Sequence, residues 1–362
     1  MRIGIDAREL CGHPTGVGRY LLGLLREWAR SEVYRRHDFV LYAPGELAIS
    51  VDSRRLPTRI IAGGSGTWWE QARVPRVAAA DHVDVWFAPA YTAPLFLSAP
   101  IVATIHDVSF AAHPEWFRMR EGLRRRVVTR ATARQARTVI TVSEVSKREI
   151  VELLGVGSEK VRVIPQGIDP PPVTRDAGGR EPRVLYAGSI FNRRHVPDLI
   201  RGVALLSRQH PKVSLDIVGD NRTFPREDID AAVAAHGSTA RIEWHRYATQ
   251  EHLADLYGQA RAFAFLSEYE GLGMTPLEAL AVGIPPVVLD TAAARETLGD
   301  AAVFVPADHD VPAVARGLET ALFDETLRAR ILAAAPAALA KFNWARAARD
   351  VLSVLEAAAQ AA

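Results

Sequence analysis

Short β-branched runs alternate with helical patterns twice along this chain, and a stretch of chain breakers separates the two series. Ile3–Ala7, Phe39–Tyr42, Val83–Phe87, Ile101–Ile105, Thr138–Val142 and Val161–Ile164 form the first set of strand candidates. Arg183–Ala187, Val213–Val218, Arg241–Trp244, Ala262–Leu266, Pro286–Leu289 and Ala302–Val305 form the second. Between strands, apolar residues recur at helical spacing, as in Tyr20, Leu21, Leu24, Leu25 and Trp28, or Met119, Leu123, Val127 and Ala131. This βα rhythm belongs to parallel sheets. Pro170 to Pro182 has no periodicity and too many breakers for an element, so it reads as a linker. The division expected is residues 1–169, a linker at 170–182, and residues 183–343, with each part a doubly wound α/β domain. In such sheets ligands sit beyond the carboxyl ends of the strands.

Composition removes several function classes. With 362 residues, 48% of them hydrophobic, the chain is long enough for two cores. A net charge of +2 gives no support to nucleic acid as a partner. Cys11 is the single cysteine, so an internal disulfide or a cysteine-based metal site is impossible, and a reducing compartment fits. The opening Met1-Arg-Ile-Gly-Ile-Asp-Ala7 reads as a strand and not as a leader, and no run is long enough to span a bilayer. A cytoplasmic location, soluble or peripheral, is the expectation.

Chemistry concentrates in Glu270-Gly-Leu-Gly-Met-Thr-Pro-Leu-Glu278, between the apolar run ending at Leu266 and Ala279-Leu-Ala-Val-Gly-Ile-Pro285. The order is strand, glycine loop, helix. Thr275 is expected as the N-cap, Pro276 as the first helical residue and Glu278 as the third, with first-turn amides facing the loop. Gly271 and Gly273 let a ligand approach the backbone. Carboxylates cannot hold phosphate, so Glu270 and Glu278 suit the hydroxyls of a sugar and a ribose, with amides and cations on the phosphates between. The same Thr275-x-x-Glu278 spacing is also a capping box, which needs no ligand. The segment from Glu270 to Pro285 resembles the E-x7-E signature of family 4 retaining glycosyltransferases.

Further segments carry the resemblance. Ile3-Gly-Ile-Asp-Ala-Arg8 with Thr15-Gly16-Val-Gly18-Arg-Tyr20 is similar to the opening of family 4 mannosyltransferases, and Gly16 and Gly18 are expected in a glycine loop leading into a helix. It is not a dinucleotide fingerprint, because Leu21 stands where the third glycine should be, and no P-loop lysine is present. His106-Asp107, at the end of Ile101–Ile105, resembles the family's His-Asp motif, whose histidine contacts the donor sugar near its 6-hydroxyl. No second ligand stands at metal spacing beside it, so no metal site is expected. Cations must then come from the protein. Gly188-Ser-Ile-Phe-Asn-Arg193-Arg194 supplies two, where the family usually has Arg-Lys, and paired guanidiniums can hold phosphate oxygens.

The resemblance implies a GT-B fold, two Rossmann-like doubly wound domains facing a cleft, with the nucleotide on the second domain and the helix at 344–362 crossing back to the first. It implies His106, Glu270, Arg193 and Arg194 as the catalytic set. Gly16, Gly18, Gly188, Gly271, Leu272, Gly273, Met274, Thr275 and Glu278 would line the donor. No cofactor is expected beyond the donor substrate itself, which resemblance suggests is GDP-mannose, and the acceptor would be a glycan or lipid-linked sugar. A UDP-glucose-dependent transferase, a nucleotide-sugar epimerase of the same fold and a non-catalytic binding protein are the alternatives. Finally, Arg118 to Arg137 carries eight arginines against Glu121 alone. Together with Met119, Leu123, Val127 and Ala131, it is expected to form a helix that packs on its own domain or rests on an anionic membrane.

Overall fold

The structure, a computed structural model, describes every residue except His13, Pro14, Ser50, Ser65, 174–180, Ser238 and 361–362. Most of the expected linker, and two residues of the expected glycine loop, lie outside the described residues. Contacts divide the chain into one unit of Met1–Gly167 with Phe342–Ala362, and a second of Ile168–Lys341.

The first unit holds a seven-stranded parallel sheet of β1 (Arg2–Asp6), β2 (Asp38–Ala43), β3 (Thr58–Ile60), β4 (Val85–Ala88), β5 (Ile101–Thr104), β6 (Thr138–Thr141) and β7 (Val161–Val163), in the order β3-β2-β1-β4-β5-β6-β7. Its helices are α1 (Gly16–Arg30), α2 (Val74–Ala80), α3 (Ser109–Ala112), α4 (Met119–Gln135) and α5 (Glu144–Leu154), with α13 (Trp344–Gln360) added from the end of the chain. The second unit holds six parallel strands, β8 (Arg183–Ala187), β9 (Ser214–Val218), β10 (Arg241–His245), β11 (Ala262–Phe265), β12 (Pro286–Leu289) and β13 (Val303–Val305), in the order β10-β9-β8-β11-β12-β13. Around them lie α6 (Val196–Ser207), α7 (Ile229–Ala234), α8 (Gln250–Gln259), α9 (Met274–Ala281), α10 (Ala292–Leu298), α11 (Val311–Phe323) and α12 (Glu325–Leu339).

Both sheets are doubly wound and Rossmann-like. Strands such as β4, β5, β9, β11 and β12 are buried at every position, as sheets covered on both faces require. Strand order reverses between β1 and β4 in one sheet and between β8 and β11 in the other. Loops that leave neighbouring strands at such a point splay apart and open a crevice at the carboxyl edge.

α13 belongs to the first core. Ala347, Ala348, Val351, Leu352 and Leu355 join the cluster around α1, and Trp28 Nε1 donates to Ala348 O at 2.9 Å. The Trp344 indole occupies the space that side chains at Gly23 and Gly167 would fill, 2.6 and 2.3 Å from their Cβ positions.

One feature was missed by the sequence reading, and another decides between its alternatives. β3 was not expected; it is three residues long at the sheet edge, and Ile60 is exposed. The apolar residues of α4 also do not pack inward. The buried face is Gly122, Thr129, Thr132 and Ala133, while Met119, Leu123 and Val127 are 85%, 60% and 57% exposed.

Candidate functional site

Two loops flank the reversal point of the second sheet. One follows β8 and carries Gly188 and a turn at Asn192–Arg194; the other follows β11 and carries Ser267 to Gly273 before α9. Glu268 N donates to Arg193 O at 3.0 Å and joins them. Across this joint, Arg194 Nε and Nη2 both meet Glu270 Oε1, at 2.9 and 2.8 Å. Ser267 Oγ donates to the same oxygen at 2.9 Å. Arg194 Nη1 donates to Ser189 O at 2.8 Å, and its guanidinium lies over the Phe265 and Phe191 rings. A Cβ at Gly188, where φ is +144°, would sit 3.0 Å from Arg194 Nη1, so the glycine makes room for this side chain.

The pair is largely buried, with side-chain exposures of 13% for Arg194 and 19% for Glu270. Burial alone would lower the Arg194 pKa, but the Glu270 charge more than offsets it, and the guanidinium is held above its ordinary range. Arg194 and Ser267 both bind Glu270 through Oε1, which leaves Oε2 as the oxygen that can accept from a ligand hydroxyl. Arg193 is placed differently: its guanidinium stacks on Phe191, 4.5 Å from the ring centroid.

The helix start departs from expectation. α9 begins at Met274, and its N-cap is Gly273 in the left-handed region at φ 78°, ψ 71°. Thr275 is therefore the second helical residue, Pro276 the third and Glu278 the fifth. Thr275 makes no cap bond, and its buried Oγ1 has no hydrogen-bond partner among the described residues. A left-handed glycine turns the loop sharply into the helix and outcompetes the Thr275 cap; Pro276 is tolerated because its missing N–H falls in the first turn. The capping box is thus excluded, since its glutamate must stand third. Glu278 is 5% exposed on the buried side of the first turns, and a Cβ at Gly273 would meet nothing within 4 Å.

Residues 14–171 match the family described as Glycosyltransferase Family 4, and residues 175–337 match Glycosyl transferases group 1. The chain belongs to glycosyltransferase family 4. It is 28% identical over 288 residues to the glycogen synthase of Mycobacterium tuberculosis, covering 76% of this chain and 68% of that one. To the MMP alpha-(1->4)-mannosyltransferase of Mycolicibacterium hassiacum it is 26% identical over 333 residues, 85% of this chain and 80% of the relative. Its fold is similar to that of sucrose-phosphate synthase from Thermosynechococcus elongatus, with a TM-score of 0.79 at 18% identity over all of both chains. The fold is that of the GT-B glycosyltransferases.

In the glycosyltransferase's first unit, His106 follows β5 beside the other reversal point. Its Nε2 donates to Pro89 O at 2.9 Å, and its ring meets Tyr20 edge-on at 4.9 Å and Tyr91 at 5.6 Å. Burial holds its pKa below the histidine range. The imidazole is therefore neutral with the proton on Nε2, so Nδ1 is an acceptor. Asp107 braces this loop, accepting from Tyr91 Oη at 2.7 Å and from Ser109 N at 2.9 Å. Gly16 and Gly18 lie not in a loop but in the first turn of α1, as its first and third residues, after an extended Thr15 that makes no side-chain cap. They and His106 belong to the first unit; Gly188, Arg193, Arg194, Glu270 to Thr275 and Glu278 belong to the second.

Sequence reasoning missed two groups. Ser267 holds Glu270, and only its position just after the strand could have pointed to it. At the end of β1, Arg8 bridges two buried carboxylates, Asp6 and Glu70. Thr92 Oγ1 donates to Glu70 Oε1 at 2.6 Å and Gln71 Nε2 to Oε2 at 3.1 Å. Burial pushes the Asp6 carboxyl up, against the pull of Arg8. Glu70 sits in a π-helical turn, Trp69–Arg73, with no local pattern to mark it.

Proposed function

We propose that this glycosyltransferase is a metal-independent, retaining hexosyltransferase that moves mannose from GDP-mannose to a glycan or lipid-linked acceptor in cell-surface polysaccharide synthesis. The observation that carries the reading is Glu270, held through Oε1 by Arg194 and Ser267 with Oε2 open, at the reversal point of a doubly wound sheet. Glu270 Oε2 orients the transferred sugar through its hydroxyls, and Glu278 accepts from the ribose. Arg193 and Arg194 stabilise the charge that develops on the leaving diphosphate, and Arg194 also holds Glu270. His106 Nδ1 accepts from the sugar near its 6-hydroxyl. As the bond from sugar C1 to the diphosphate oxygen breaks, the acceptor oxygen bonds C1 on the same face and its proton passes to the departing phosphate.

The mannosyltransferase relative covers more of the chain than the glycogen synthase, which favours mannose over glucose. A donor panel assayed for nucleoside diphosphate release tests this directly. GDP-mannose should give the fastest release, and activity should survive EDTA. Preference for UDP-glucose would move the enzyme to the alternative donor, and donor isomerisation without transfer would make it an epimerase.

For the acceptor side we propose contact with an anionic lipid surface at the inner leaflet through Arg118–Arg137. At 3.6 residues per turn, Arg126, Arg130 and Arg134 share one face of α4 with Met119, Leu123 and Val127, all exposed. Arg124 Nη1 donates to Thr67 Oγ1 and Gln135 Nε2 to Leu95 O, which brings Trp68 and Phe96, 69% and 81% exposed, beside the helix. Exposed aliphatic and basic side chains on one helix face, with exposed aromatic rings on loops bonded to the same helix, suit a lipid interface. No described helix is long and apolar enough to cross a membrane.

A further inference from the structure

An open cleft of about 640 Å³ lies at the amino edge of the first sheet, where Arg35 and Arg36 lead into β2, Arg54 and Arg55 lead into β3, and Arg2 and His37 complete its basic lining. We propose that it binds the phosphate group of a small phosphorylated molecule, at a site separate from the transfer reaction. His106 follows the carboxyl end of β5, so the length of the strands stands between it and the cleft.

The lining gathers more positive charge than it satisfies. Arg35 and Arg55 both lie against Tyr34, 5.7 and 4.5 Å from its ring centroid. Like charges brought onto one ring repel unless an anion joins them. Their carboxylate partners, Glu32 and Asp52, stand outside the lining, and exposed pairs of this kind contribute little. Asp38 is the acid within the lining, and Arg2 Nε already holds it at 2.6 Å. Arg36 and Arg54 are exposed and enter no ion pair among the described residues.

Two histidines of the same cleft point the same way. The His37 side chain is 10% exposed, yet neither ring nitrogen makes a hydrogen bond among the described residues; Nε2 comes within 2.9 Å of Glu356 Oε1 at an angle that makes none. A buried donor without an acceptor is costly, and an anion oxygen in the cleft would supply one. His82, in the turn between α2 and β4, is held in the left-handed region at φ 52°, a strain found most often at binding sites.

Ligand chemistry follows from the lining. Guanidinium forks match phosphate oxygens in pairs, and two Arg-Arg dyads suit a dianion. The cleft is larger than phosphate itself and within the range of small-molecule sites, and Tyr34 and Pro57 give the rest of the ligand an apolar wall. A sugar phosphate meets both requirements, whereas free phosphate meets only the first.

Titration calorimetry at fixed ionic strength, on the full-length chain with excess GDP present, separates these sources. Glucose 6-phosphate should bind one equivalent, inorganic phosphate more weakly, and glucose not at all. The double variant Arg36→Ala/Arg54→Ala should weaken binding of the ester at least tenfold and His37→Phe by about tenfold, while Arg193→Ala leaves it unchanged. The double variant removes no ion pair, so its melting midpoint should match the wild type. Absence of saturable binding of either phosphate by the wild-type chain would overturn the proposal, as would binding unchanged in the double variant or lost in Arg193→Ala. Inorganic phosphate binding as tightly as the ester would overturn the assignment to a phosphorylated organic molecule.

Discussion

Arg193 and Arg194 are neighbours in sequence with different surroundings, and the difference can be measured. Arg194 forms a largely buried ion pair with Glu270, so Arg194→Ala strands a carboxylate and should cost about 3 kcal/mol of stability as well as turnover. Arg193 stacks on Phe191, and a charge-assisted contact to diphosphate is worth roughly 1.5–3 kcal/mol. Arg193→Ala should therefore lower kcat/KM by about ten- to a hundredfold with a smaller loss of stability than Arg194→Ala. Equal losses of stability in the two variants would contradict the division of roles. The arginine pair is visible in sequence, but its split is not, because Arg194 and Glu270 lie 76 residues apart. The same distance effect hides Arg8–Glu70, 62 residues apart. At Thr275 a local signal misled: Ser/Thr-x-x-Glu spacing says where a cap can form, and the left-handed Gly273 decides where one does.

At the scale of elements, α4 shows what periodicity contains and what it omits. Spacing of Met119, Leu123 and Val127 establishes that they share a face; it does not say which face meets the core. Gly122, Thr129, Thr132 and Ala133 are small enough for close approach to the domain, and they turn the larger apolar groups outward. At about 1 kcal/mol per basic residue near an anionic surface, Arg126, Arg130 and Arg134 with the exposed apolar groups should suffice for reversible attachment. Sedimentation should show binding to anionic vesicles at low salt, release at high salt, and little binding to neutral vesicles. Equal, salt-insensitive behaviour with both lipids would reduce α4 to a structural element. β3 escaped the sequence reading for a different reason: three half-exposed edge residues carry no alternation to detect.

For the whole molecule, two series of strands were legible because most are apolar runs bounded by breakers, and burial on both faces of strands such as β9 and β11 leaves little ambiguity. Strand order was not, since it depends on pairings such as β8 with β11 that join residues Leu185 and Phe263. That order places the Arg194–Glu270 joint and the start of α9 at one crevice, where we propose that the E-x7-E segment holds the donor. Glu278 bears the central claim: it stands fifth in α9, where it cannot serve as a capping-box partner, and it is assigned to the ribose. The most direct test is calorimetric titration of GDP into the wild-type chain and Glu278→Gln. Affinity should fall about tenfold or more, as loss of a charge-assisted hydrogen bond requires, in a variant that remains folded by circular dichroism. Equal GDP affinity in the two proteins would contradict the account.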